Sequence, residues 1–436
     1  MALNVQEAEQ LFLQGDFEKS FTLLTDLAKD EENGRALYLL SLFYFYGILE
    51  PENDDKFTDL IEKAWDADEV LAGIFLMFPR KGDNKRGEAY RKLMKLLREK
   101  AKGGDPFAMH QIGLLYQKGL GVKINLAKAV EWHEKAGEKG LVIALVDAGN
   151  LYLSDMLHDE KKAYQCYLKA AAKGYHEAEV HLGDCYYCGV GVEEDAQKAE
   201  ICFLRAIDHG NAEACDALGT IYVMGDGMEA REEDAFRCFK LGAQRGLASC
   251  YYKWADCYFF GRGTDIDYAK ALELYEKAWN MGFVSAGASI GMLYLMGTAG
   301  EGKEELGFQW IQKAADAGDV NGLAYLGNCY ADGLGTDRDI EKAKPYLQEA
   351  AEQGQIEAVS KLGEVALEEE NWFEAAKQFK VAAEKGYPRA ENFMGILYAK
   401  GIGVQKNLRS AEEWFRRSEA QGDPDARMLM KQYLGI

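Results

Sequence analysis

The sequence predicts an all-α chain, a right-handed superhelical solenoid of antiparallel helix hairpins. Three observations carry the prediction. Glycine is abundant and proline scarce, 46 against 6 in 436 residues, with no G-X-Y period that would mean collagen. The glycines keep phase: a small residue recurs at Gly113, Gly149, Gly183, Gly219, Ala255, Gly291, Gly327, Gly363 and Gly395, in steps of 32 to 36 residues. A second series, Gly140, Gly174, Gly210, Gly246, Gly282, Gly318, Gly354, Gly386 and Gly422, follows at nearly constant separation and marks the unit ends. A single hairpin cannot bury its apolar face, so stacked units replace the two to four globular domains that the length suggests.

One unit, residues 108–140, shows how each element is read. Ala108, Ile112, Leu115 and Tyr116 share a helical stripe, and Gly113 beside them marks a close approach to a neighbour. Gly119 and Gly121 end that helix and turn the chain. Ala129, Trp132, His133 and Ala136 form the stripe of a second helix, which Gly140 stops. Two further series are read as core seams. Tyrosine stands three residues after the small position at Tyr116, Tyr152, Tyr186, Tyr222, Tyr258, Tyr294, Tyr330 and Tyr398. The second helix repeats Trp132, Cys166, Cys202, Cys238, Leu274, Trp310, Tyr346 and Trp414. Pro106, Pro388 and Pro424 follow unit-ending glycines, at first turns where a missing N–H costs little, and Pro345 is expected near the first turn of its own helix.

The first quarter is less regular. Residues 3–31 suit two short helices turning at Gly15 and Asp16. Residues 36–47 resemble a first helix, with Ser41 at the small position and Tyr44 at the aromatic one, and Ala64 closes a shortened second helix. Gly73 is the next small position, before a disturbed loop with Pro79 and Gly82. Two later units depart from the pattern: one reads SDMLHD in place of G-x-G, and the other has its loop shortened to EEEN. The expected organisation is one continuous solenoid of about eleven hairpins with one leading pair: divergent hairpins over 1–103, regular repeats over 104–422 and a capping helix over 423–436.

The pattern from about residue 104 onward resembles the Sel1-like repeat family, relatives of tetratricopeptide repeats with a glycine-bearing loop between the helices. The matching pieces are LG-x-x-Y at Leu182 to Tyr186, G-x-G at Gly119 to Gly121, Gly189 to Gly191, Gly333 to Gly335 and Gly401 to Gly403, and A-A-x-x-G at Ala350 to Gly354. The resemblance implies a protein-binding adaptor or scaffold. Some relatives are secreted or envelope-associated bacterial factors, and the cysteine-rich secreted ones tie each hairpin with a disulfide. Here most units lack a matched pair, Cys185 with Cys202 coming nearest, so reduced thiols and a cytoplasmic setting are expected.

Binding residues are sought among aromatics beyond the seam, namely Phe43, Phe45, Tyr187, Tyr251, Tyr252, Phe259 and Phe260, as anchors on a concave wall. The chain is acidic, net −21, which argues against nucleic acid and anionic membrane as partners. Residues 80–102 are the exception, net +7, so the remainder carries −28. Their Arg80, Lys81, Lys85, Arg86, Arg91, Lys92, Lys95 and Arg98 suit an acidic protein partner or another copy of the chain, with Leu93, Leu96 and Leu97 on the apolar side. The acid runs Glu193 to Asp195, Glu229 to Asp234 and Glu368 to Glu370 precede second helices, where the helix dipole favours them.

Chemistry is not signalled. There is no H-E-x-x-H, G-x-S-x-G, Walker loop or G-x-G-x-x-G. Cys185 and Cys188 form C-x-x-C with no returning pair, and the recurring cysteines read as small core residues. His133 is seam-adjacent, and His176 and His181 are off the i, i+4 ligand spacing. No catalytic residue, cofactor or metal is therefore assigned. No apolar run reaches eighteen residues, and the opening MALNVQEAEQLFLQGDFEKS lacks a basic region, so neither a membrane span nor a secretory signal is read.

Overall fold

A computed structural model describes residues 4–46, 48, 53–67, 69–76, 86–225 and 230–436 of the chain. The described residues form twenty-five α-helices and one 3-10 turn, with no strand among them. Eleven complete hairpins run from Val5–Gln14 with Phe17–Leu27 to Pro388–Lys400 with Leu408–Ala420. Gly73–Leu76 and Arg86–Lys102 form an incomplete pair, and Asp425–Leu434 follows the last hairpin. The chain divides into two compact units, Met1–Leu218 with Met224–Ala230, and Gly219–Val223 with Arg231–Ile436. Within each, second helices pack on the first helix of the next hairpin, as Leu126–Glu138 does on Val142–Tyr152 and Tyr268–Asn280 on Ser285–Leu295.

The small position works by close approach. A methyl added at Gly113, Gly149, Gly183, Gly219, Gly291, Gly327, Gly363 or Gly395 would lie 2.5–2.8 Å from one side chain of the following helix. Those side chains are His133, Tyr167, Phe203, Phe239, Ile311, Leu347, Phe379 and Phe415. The deepest seam position is thus one residue beyond the expected series. Trp132, Cys238, Trp310, Tyr346 and Trp414 are only half-buried, while Cys166, Cys202 and Leu274 are buried beside it. The stripe of a second helix places two adjacent residues near the seam, and the facing glycine admits only the second.

The loops also have a physical account. Gly119, Gly189, Gly261, Gly333 and Gly401 end first helices in the left-handed conformation. The second loop glycine stacks units: a methyl at Gly191, Gly263, Gly335 or Gly403 would collide with the backbone carbonyl of Glu160, Glu232, Glu304 or Trp372, in the preceding hairpin. In the two divergent loops, His158 (φ 44°) and Glu370 (φ 57°) adopt the left-handed conformation without glycine.

The tyrosine series does more than fill a core. The carbonyls of Tyr116, Tyr152, Tyr186, Tyr258, Tyr330 and Tyr398 accept from the N–H of Asn125, Asp159, Asp195, Asp267, Asp339 and Asn407, at 2.7–3.0 Å. Each of these donor residues caps the next helix with its own side chain. Three residues on, Lys128, Lys162, Lys198, Lys270 and Lys342 stand 5.1–5.6 Å over the tyrosine rings. Asp195, Asp267 and Asp339 titrate below the ordinary carboxylate range, chiefly because the lysine's backbone N–H donates to them.

Three expectations are corrected. Pro345 is the sixth residue of Ile340–Glu352, inside the helix rather than in its first turn. Leu96 is exposed; Met94 joins Leu93 and Leu97 on the buried side of its helix. Gly73 faces the ring of Trp65, in the preceding hairpin, instead of a second helix of its own. Pro79 and Gly82 lie outside the described residues.

Candidate interaction surface and a buried histidine seam

The predicted aromatics differ in exposure. Phe43 is fully buried, against Phe12, Phe17 and Phe21, because the leading hairpin folds over it, so it is corrected from anchor to core. Phe45 is partly exposed but packs on Tyr46, Phe57 and Phe75. Tyr187 is half-buried. Tyr251 lies against Trp254, and Tyr252 is wedged between Tyr275 of its own hairpin's second helix and Phe283, at the start of the next hairpin. Phe259 packs on Tyr268, leaving Phe260 as the exposed member of that group, with Arg262 over its ring at 4.9 Å. Sequence reading missed Trp372 and Phe373, both exposed and following directly on the shortened EEEN loop.

The basic stretch is better organised. Arg80, Lys81 and Lys85 lie outside the described residues, and of Arg86 only the helical backbone is described. From there Arg86–Lys102 is continuous helix. Leu93, Met94 and Leu97 bury one side. Arg91, Lys95, Arg98 and Lys102 recur at helical spacing on another, and with Met94, Glu99, Gly121 and Val122 they line a cleft of about 370 Å³. Arg98 donates to the Tyr116 hydroxyl at 3.1 Å, which fixes the cleft to the neighbouring G-x-G loop. Lys92 is exposed and does not line it. The helix supplied the charge in the sequence; the loop opposite it, some twenty residues on, was not legible as its other wall.

A second cluster was not anticipated. His133 occupies the seam against Gly113, where the other units place Tyr167, Phe203, Phe239, Ile311, Leu347, Phe379 or Phe415. Its side chain is fully buried and neither ring nitrogen has a hydrogen-bond partner among the described residues. His110, from the same hairpin's first helix, stacks obliquely at 4.9 Å between ring centroids. Asp147, from the next hairpin, accepts from or shares a proton with His110 Nε2 at 2.6 Å. The ligand atoms of the three residues all lie within 4.8 Å of one another. Burial, with the nearby His110, pushes His133 down to about 3, so its ring is neutral at physiological pH. Burial raises the Asp147 carboxyl, but the His110 hydrogen bond and charge outweigh it and hold it below its ordinary value.

The nine cysteines are free thiols; of those in repeat phase, Cys238 is half-buried and Cys166, Cys185, Cys202, Cys257 and Cys329 are buried. Cys188 is exposed beside buried Cys185. No helix among the described residues is long and apolar enough to cross a membrane.

Comparison with known proteins places this geometry. The Sel1 repeat model matches nine segments, residues 34–56, 106–141, 143–175, 176–211, 212–247, 248–283, 287–319, 320–355 and 388–423, together more than half of the chain. A solved structure of a protective antigen present in uropathogenic Escherichia coli strains, displaying an SLR fold, is 26% identical, covers 94% of this chain and 82% of that one, and superposes with a TM-score of 0.58. A Sel1 repeat protein from Oxalobacter formigenes is 23% identical over 63% of this chain and 96% of its own, with a TM-score of 0.46. A putative sel1-like repeat-containing protein of Acanthamoeba polyphaga mimivirus is 25% identical over 95 residues, 22% of this chain, which spans 17% of that relative's length.

Proposed function

This chain belongs to the Sel1 repeat family, and we propose that it is a protein-interaction scaffold without catalysis of its own, docking an acidic segment of a partner protein along the Arg86–Lys102 helix. The observation that carries the reading is the cleft. Four cationic side chains line it in a chain whose remainder is strongly acidic. A carboxylate-rich peptide there gains charge-assisted contacts, while the acidic remainder repels the same peptide from non-specific sites. Glu99, the one acid lining the cleft, sets a limit on how many carboxylates enter.

The test uses a fluorescein-labelled ten-residue Glu/Asp-rich peptide and fluorescence anisotropy. The expected result is saturable binding that weakens with added salt and falls roughly tenfold or more in Lys95→Glu/Lys102→Glu. Both residues are exposed, so the variant should fold. Absence of binding by the native protein, or equal binding by the variant, overturns the reading.

A second reading has support in the likeness to the protective antigen: this chain serves as a secreted or envelope-associated factor rather than in the cytoplasm. Fractionation of the source cells separates the two, since recovery in the cytoplasmic fraction alone excludes it.

A further inference from the structure

We propose that His110, His133 and Asp147 bind one divalent transition-metal ion of the class held by imidazole and carboxylate, zinc being the reference ion. The donors come from three consecutive helices, Pro106–Lys118, Leu126–Glu138 and Val142–Tyr152. An ion there joins one hairpin to the next.

Three independent observations converge. The first is the orphaned ring. A neutral imidazole has one donor and one acceptor nitrogen, and burying both without partners is costly. His133 does so in a seam that other units fill with phenyl, phenol or aliphatic groups. The His110–Asp147 contact satisfies those two groups and leaves His133 as it was. A metal ion takes up its lone pair.

The second is register. In other units, the residue two before the small position of the next hairpin stands beside the seam ring. His181 stacks on Tyr167 at 4.7 Å, Lys253 lies 5.7 Å from the Phe239 ring, and Phe393 stacks on Phe379 at 4.4 Å. At the His133 ring that register position is Asp147, and the first-helix position beside it is His110. Only in this layer, among the described residues, do three ligand-type side chains meet.

The third is access and fit. Asp147 leaves 27% of its side chain exposed, so an ion reaches the site without the seam unfolding. Tetrahedral zinc with bonds of about 2.0–2.1 Å spaces its ligand atoms by roughly 3.4 Å, so the most distant pair must close by up to about 1.4 Å and the His110–Asp147 pair must open by about 0.8 Å, within the reach of side-chain rotation. Three protein donors leave a fourth position for water.

The experiment uses the full chain, stripped with chelator and titrated with Zn²⁺ and Co²⁺, alongside elemental analysis of protein purified without added metal. The expected result is one ion per chain, with Co²⁺ giving visible ligand-field bands stronger than those of six-coordinate aqueous Co²⁺ and no thiolate charge-transfer band. His133→Phe and Asp147→Asn should each lower affinity roughly 100-fold or more. The His133→Phe variant should fold, because Phe203, Phe239 and Phe415 fill the same seam position against glycine; circular dichroism verifies this, and Asp147→Asn, at a partly exposed site, stands as the second variant. Iron instead of zinc in the purified protein, lost in both variants, also supports the site. Sub-stoichiometric binding, binding unchanged in both variants, or strong thiolate bands that place the ion at Cys185 and Cys188, overturns it.

Discussion

The seam around His133 and the seam around Phe379 share a plan and differ in content. In each, a ring of the second helix lies against a glycine of the first, Gly113 or Gly363. In each, a residue from the next hairpin stands over the ring, Asp147 or Phe393. At Phe379 the result is an apolar stack, with ring planes 15° apart. At His133 it is a polar cluster in which the seam ring itself has no hydrogen-bond partner among the described residues. The surroundings differ as well. The second helix carrying Phe379 has its start covered by Gly403 of the next loop, through the Trp372 carbonyl. The loop following the His133 unit is SDMLHD, which has no such glycine. The polar seam therefore sits where the glycine staple between hairpins is missing, and a metal ion there would replace it. The repeat decides where a ring goes; one side chain decides what the position does.

Exchanging the rings is the strongest way to break this contrast. Phe379→His buries an imidazole with only an aromatic neighbour over it and should cost about 3 kcal/mol, read as a loss of urea midpoint. His133→Phe, measured without metal, should change stability by less than about 1 kcal/mol or raise it, because it removes two unpartnered nitrogens. Equal losses in both variants would mean that the two seams are equivalent. The next effect tests the staple. Gly403 has φ 68°, and its added methyl would meet the Trp372 carbonyl, so Gly403→Ala should cost about 2–3 kcal/mol. Gly354→Ala is the reference: φ is 95° but nothing lies within 4 Å, so only the backbone cost of about 1 kcal/mol remains. Melting curves of the two variants give the staple as their difference, and coinciding curves would remove it.

These contrasts also explain what was legible beforehand. The hairpins were, because left-handed turns and close helix contacts demand glycine, and glycine leaves a period. The seam ring was misplaced by one residue. Trp132 and His133 both fall on the helix stripe, and only the glycine opposite distinguishes them. The metal-type cluster left no local motif, since residues 110, 133 and 147 lie on three helices and meet only when hairpins stack. Phe43 reads as an anchor because its cover comes from outside its own hairpin, from Phe12, Phe17 and Phe21 of the leading hairpin. The basic helix was readable because charge is local. Its cleft was not, because Gly121 and Val122 belong to the next hairpin. The Asx-x-x-Lys spacing that seats lysine over tyrosine was present in the sequence throughout, and its meaning needed the ring's position.

That spacing supplies the smallest contrast between the two regions. In the His133 unit, Asn125 caps the second helix, its N–H donates to Tyr116, and Lys128 stands 5.5 Å over the Tyr116 ring. In the Phe379 unit the backbone does the same, Asn371 N–H donating to Ala366 and its side chain capping Glu374. But alanine replaces the ring and glutamate the lysine, so there is nothing for a cation to cover. Lys128→Met keeps the aliphatic stem against the ring and removes the charge; it should cost about 0.5 kcal/mol. Glu374→Met should cost less, because its ion pair with exposed Lys377 is solvated. Repeating both in 1 M salt separates the causes. The Glu374 effect should fade with screening, whereas the Lys128 effect, made at short range against a buried ring, should largely persist. If both fade equally, the lysine acts as a surface charge and the loop is held by the backbone alone.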